Sequence, residues 1–137
     1  MRFIAALALL PAALQAADLH PVEGQHGTEG LEAVHLRLRN QGTRTLDCQA
    51  QLAHWFSDRL ALIAPGESVD RVLWRDPQTG SVALLNERGD AMPVEALWCG
   101  VAGRAYRTRA PIALEGLRAG SWLELTCRDG RERVICR

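Results

Sequence analysis

The chain has 137 residues and equal numbers of basic and acidic side chains, 16 of each, and every basic one is an arginine. Balanced charge excludes a chain built to grip nucleic acid along its length. The missing lysine excludes Schiff-base, phosphate-loop and lysine-base chemistry, while an apolar fraction of 47% suits a single packed domain.

Residues Met1 to Ala16 begin with one positive charge, Arg2. An apolar run from Phe3 to Leu10, the breaker Pro11 and small residues follow. This order predicts a secretory signal peptide over residues 1–16, cleaved near Ala16 with Ala17 as the alternative. The run is shorter than the roughly 20 residues that cross a bilayer. No cysteine follows it to carry a lipid anchor, and no later segment is long and apolar enough to span. The expected location is therefore periplasmic or secreted.

Residues 17–30 hold Pro21, Gly24, Gly27 and Gly30 among polar neighbours, which predicts an extended leader. From residue 31 the apolar period becomes two. Val34, Leu36 and Leu38 alternate with His35, Arg37 and Arg39, and Leu46, Cys48, Ala50 and Leu52 alternate with Asp47, Gln49 and Gln51. Cys48 falls on the inward face. Further strands are predicted at Leu60–Ile63, Val69–Trp74, Ser81–Leu85, Val94–Cys99, Tyr106–Leu114, Trp122–Cys127 and Arg133–Cys136, separated by turns such as Pro65-Gly66-Glu67. Pro111 puts its strand at an edge or a bulge. The reading is an all-β fold, a small antiparallel β-sandwich of about seven to nine short strands over residues 31–137.

Four cysteines in an exported chain predict two disulfides. The spacings of 51, 28 and 9 residues contain no Cys-x-x-Cys, which argues against zinc or redox chemistry. The expected pairs are Cys48–Cys99, tying distant strands across the core, and Cys127–Cys136, stapling a C-terminal hairpin. A two-residue Asp129-Gly130 turn would set Cys127 opposite Glu132. The second pair therefore requires a longer loop centred near Arg131.

Asn40-x-Gly42, Leu46-x-Cys48 and Pro65-Gly66-Glu67-Ser68 together resemble immunoglobulin-like modules common on exported bacterial proteins. The resemblance covers about 30 residues and implies architecture alone, since a fold does not carry an activity with it. Trp55 lies only seven residues past Cys48, nearer than antibody-type domains place their core tryptophan.

Catalytic signatures are missing. There is no Gly-x-Ser-x-Gly elbow and no His-Glu-x-x-His. Ser57 neighbours His54 and Asp58 only in sequence, whereas a triad converges in space. Glu95 and Glu124 are each flanked by apolar residues and are expected on solvent faces. The chain is therefore read as not an enzyme and as needing no cofactor.

Cleavage after Ala17 would open the mature chain as Asp18-Leu19-His20, a square-planar set for copper or nickel, so His20 is a metal candidate. This makes a metal-binding protein using N-terminal histidines the alternative reading. The first reading rests on charge. Residues 17–100 hold 12 acids against 7 arginines, and residues 101–137 hold 8 arginines against 4 acids. Arg104, Arg107 and Arg109 are expected along one strand, with Arg131 and Arg133 near the last hairpin and Trp122 as an exposed anchor. These residues predict an exported binding or accessory protein that meets another exported protein or an anionic surface ligand.

Overall fold

The computed structural model describes residues 24–137. The expected signal segment, the leader as far as residue 23, and His20 lie outside the described residues. Among the described residues nine strands run in chain order: β1 (Glu32–Asn40), β2 (Leu46–Leu52), β3 (Ser57–Ile63), β4 (Ser68–Arg75), β5 (Val82–Leu85), β6 (Ala91–Val101), β7 (Ala110–Ile112), β8 (Trp122–Asp129) and β9 (Val134–Cys136). One short helix, α1 (Glu115–Ala119), precedes β8. The fold is all-β, and among the described residues no helix is long and apolar enough to cross a membrane.

The strands form one sheet in the order β3-β2-β6-β5-β4-β1-β8-β9, with β7 also on β6. At 11 residues β6 is the longest strand. Its first residues pair with β5, Pro93 opposite Ala83, and its remainder pairs with β2 and β7. Thus β6 belongs to two hydrogen-bonded halves. One holds β2, β3 and β7; the other holds β1, β4, β5, β8 and β9.

The alternating pattern decides which side of each half is dry. Val34, Leu36, Leu38 and Leu73 from one half meet Leu46, Cys48, Ala50 and Leu97 from the other in a single buried cluster. Each such leucine, fully buried, stabilises the fold by about 1.5–3 kcal/mol relative to exposure. The far edge returns toward β7, where the Val134 amide donates to the Thr108 carbonyl at 2.8 Å.

Several expectations need correction. The sheet is mixed, because β1 and β8 run parallel, from His35 opposite Trp122 to Asn40 opposite Cys127. The cause lies in α1. Arg75, at the end of β4, donates to the carbonyls of Leu117, Arg118 and Gly120 and pairs with Glu32 at the start of β1. The chain therefore enters β8 at the end where β1 begins.

Both disulfides form as expected, Cys48–Cys99 and Cys127–Cys136. Neither crosses the core. Cys48 faces Cys99 on the adjacent strand, with Cα atoms 4.0 Å apart, because β6 lies beside β2 rather than opposite it. Cys127 faces Cys136 across β8 and β9. The tight Asp-Gly turn is not used: Asp129 pairs with Val134, and residues 130–133 make the loop, closed by Gly130 N–H to the Arg133 carbonyl.

The segment carrying Arg104, Arg107 and Arg109 is a folded loop rather than a strand, and only Ala110–Ile112 remains extended. Pro111 does occupy a short strand that pairs with β6. The described end of the leader is docked. Gly27 donates to the Gly89 carbonyl, Ala91 donates to the Gln25 carbonyl, and His26 Nδ1 lies 3.2 Å from Asp90.

Candidate ligand-binding face

On the outer side of the β2–β3–β6–β7 half, strand register sets the side chains in rows. Trp98 pairs with Pro111 on one side and Gln49 on the other, and Gln49 pairs with Arg59. The next row holds Ala96, Gln51 and Ser57. Along β2 and β6 the same residues alternate with Cys48, Ala50, Leu97 and Cys99, which are buried. The period that builds the core therefore also lifts Gln49, Gln51 and Trp98 to the surface.

Asp47 is the one buried acid on this face. Arg59 Nε and Nη2 reach its two oxygens at 3.1 and 3.3 Å, and Gln49 Nε2 adds a bond at 3.0 Å. Gln51 Nε2 reaches Glu95 at 3.3 Å. These contacts fix the amide planes that floor the face.

The loop after β6 supplies the second wall. It can fold flat because residue 100 is glycine: a Cβ there would lie 2.0 Å from the Ala105 carbonyl oxygen. The buried Thr108 hydroxyl fastens the loop, accepting from Val101 N–H at 2.8 Å and donating to the Arg104 carbonyl at 3.0 Å. Tyr106 is thereby set edge-on to Trp98, with ring centres 5.9 Å apart. The Arg109 guanidinium lies 3.9 Å from the Tyr106 ring centre and donates to the Tyr106 carbonyl. This geometry matches a cation over an aromatic face.

Trp55 and Phe56 form the opposite wall. After β2 the chain makes a single helical turn in which His54 and Trp55 both adopt left-handed backbone, with φ of 65° and 68°. Side chains with a Cβ occupy this region at a cost of about 1–2 kcal/mol each. The Trp55 ring projects with 95% of its surface exposed. A groove of about 230 Å³ runs between the walls over Gln49, Gln51 and Ser57. It adjoins an open hollow of about 540 Å³ that shares Gln49, Trp98 and Tyr106 and adds Arg59, Arg104 and Arg107. Arg107, Arg109 and Arg133 then meet around a further hollow beside Pro111.

The expected site residues are thus divided. Arg104, Arg107, Arg109 and Arg133 come together beside the aromatic groove. Arg131 sits exposed in the β8–β9 loop. Trp122, 48% exposed, lies on the other half of the sheet, 5.4 Å from the His35 ring and 5.2 Å from the Arg37 guanidinium. The four cysteines form the two bridges, with Cys48, Cys99 and Cys127 buried and Cys136 partly buried. The acids Glu95 and Glu124 are exposed on different halves. Ser57 floors the groove, whereas His54 lines a separate cavity of about 440 Å³ with Trp74, Asp76 and Asp90.

The aromatic walls and polar floor of this face, among them Gln49, Gln51, Trp55, Phe56, Trp98 and Tyr106, were not among the expected contact residues. The adjacent Trp55-Phe56 pair in a polar loop was the available signal. Comparison of the chain with protein-family models, with curated proteins and with solved structures finds no match.

Proposed function

We propose that the protein is an exported, non-catalytic binding module of β-sandwich type, and that its ligand is an acidic carbohydrate held on the outer face of β2, β3 and β6. One observation carries this reading: the groove between Trp55–Phe56 and Trp98–Tyr106 continues directly into the hollow lined by Arg59, Arg104 and Arg107. A pyranose ring offers apolar C–H faces and a rim of hydroxyls. Aromatic walls suit the faces, and Gln49, Gln51 and Ser57 suit the rim. Guanidinium groups at one end suit a carboxylate, which they bind in planar, bidentate fashion. The signal peptide expected over residues 1–16 and the two disulfides support an exported setting.

Isothermal titration with oligogalacturonate and with a neutral oligosaccharide of equal length tests the proposal. The acidic ligand is expected to bind, with W55A and W98A each weakening it at least tenfold. R104A combined with R107A should reduce its preference over the neutral ligand. Absence of binding to either sugar, or binding indifferent to both tryptophans, overturns the reading. Retention of an acidic protein from periplasmic extract by the same arginines would replace the carbohydrate with a protein partner.

A further inference from the structure

The two disulfides meet inside the core. Cys99 Sγ, from one bridge, and Cys127 and Cys136 Sγ, from the other, all lie within 4.8 Å of one another. Cys48, Cys99 and Cys127 are at most 1% exposed, whereas Cys136 is only partly buried. Of the four cysteines, Cys136 alone has any appreciable exposure, and both cysteines of the other bridge are enclosed. Thiol–disulfide exchange needs an attacking thiolate beside a target disulfide sulfur, and burial normally denies a thiol that state. A thiolate released by bond cleavage next to its target avoids this obstacle.

We propose that the two bridges form an exchange relay through which a small external dithiol acts on the inaccessible Cys48. One thiolate of the dithiol attacks Cys136 Sγ, breaking the Cys127–Cys136 bond and leaving Cys127 as the thiolate. Cys127 Sγ attacks Cys99 Sγ, forming Cys99–Cys127 and expelling Cys48 as a thiolate, which takes up a proton. The second thiol of the reagent then resolves its mixed disulfide with Cys136. The dithiol is oxidised to its cyclic disulfide by two electrons, and the protein ends with one bridge, Cys99–Cys127, and thiols at Cys48 and Cys136. This activity is independent of the carbohydrate reading.

The native chain is treated with one equivalent of dithiothreitol, quenched with acid, labelled with N-ethylmaleimide and mapped by mass spectrometry. The one-bridge species is expected to carry Cys99–Cys127 with label on Cys48 and Cys136. Label on Cys127 and Cys136 with Cys48–Cys99 intact overturns the proposal, as does direct passage to four thiols. C48A provides a second measurement without added reductant. Its single thiol should label at Cys99, Cys127 and Cys136 in a mixture, whereas label confined to Cys99 rejects the relay.

Discussion

Arg59 closes over the buried carboxylate of Asp47, one nitrogen to each oxygen, at 3.1 and 3.3 Å. Asp47 is buried while the Arg59 side chain is more than half exposed, so the pair joins a dry group to a wet one. R59A leaves Asp47 with Gln49 as its remaining side-chain partner. We expect a loss of about 1–2 kcal/mol in urea denaturation, more than an exposed ion pair is worth. The double variant R59A/D47N should recover part of that loss. Equal stability of the single variant and the parent would show that Arg59 does not hold the acid.

Thr108 positions Tyr106 without belonging to the groove surface. T108V keeps the shape but leaves the Val101 amide without its acceptor. The expected cost is about 1–3 kcal/mol. Oligogalacturonate binding should weaken although no groove-lining side chain has changed. Unaltered affinity in a destabilised T108V would show that the loop holds its place by other means.

Asn40 is fully buried and meets every demand of its amide. Nδ2 donates to the Arg44 and Ile63 carbonyls at 2.8 Å, and Oδ1 accepts from Gly42 N–H at 2.8 Å. It ties the end of β1 to the end of β3 and to the turn between β1 and β2. N40A removes the partner of the buried Ile63 carbonyl and of the partly buried Arg44 carbonyl and Gly42 amide, and the expected cost is about 2–4 kcal/mol. N40D should be comparably damaging, because a carboxylate cannot donate to either carbonyl. A thermal midpoint unchanged in both variants would refute the assignment.

Acid should weaken the fold through its bound carboxylates. Asp129 is held below the usual carboxylate range, first by the Thr43 hydroxyl and then by the Thr43 amide and Arg44. Asp70 is lowered by its bond to Arg37, Asp76 by the Gln78 amide, and Asp90 by Asn86 and His26. A lowered folded pKa contributes stability that is present above the unfolded value and is lost as pH falls through the folded one. The urea midpoint should therefore stay level from pH 7 to 5 and decline below about pH 4. D129N should lie below the parent at pH 7 and approach it at pH 3. A parent midpoint that rises on acidification contradicts this sign.

Strand positions were readable because a two-residue period survives wherever one face is buried. Leu46, Cys48, Ala50 and Leu52 placed β2 and its inward cysteine before any contact was known. The expected strand from Val94 begins too late, since β6 reaches back to Ala91 to join β5. The parallel placement of β8 depends on Arg75 meeting α1 from 40 or more residues away, and local pattern does not carry such a contact. The arginine cluster was legible from charge counting, and four of its members do converge. Trp122 was expected on the same contact surface as an exposed anchor; it is exposed, yet the sheet carries it to the other half. Trp55 and Phe56 are thrown outward by a turn in which His54 and Trp55 adopt left-handed backbone, a conformation those residue types do not announce.

Continuity of β6 has a consequence for recognition. The strand shared by both halves sets Trp98 opposite Gln49 and Ala96 opposite Gln51, so the floor built from Gln49, Gln51 and Trp98 is formed by paired strands before a ligand arrives. Ordering on binding is then confined to projecting groups such as Trp55, Arg104 and Arg107. Each immobilised side chain of this kind costs about 0.5–1.5 kcal/mol in lost freedom. If the proposed acidic carbohydrate binds here, its affinity should rise with the number of rings and guanidiniums it stills at once, and longer chains should gain by engaging both walls together.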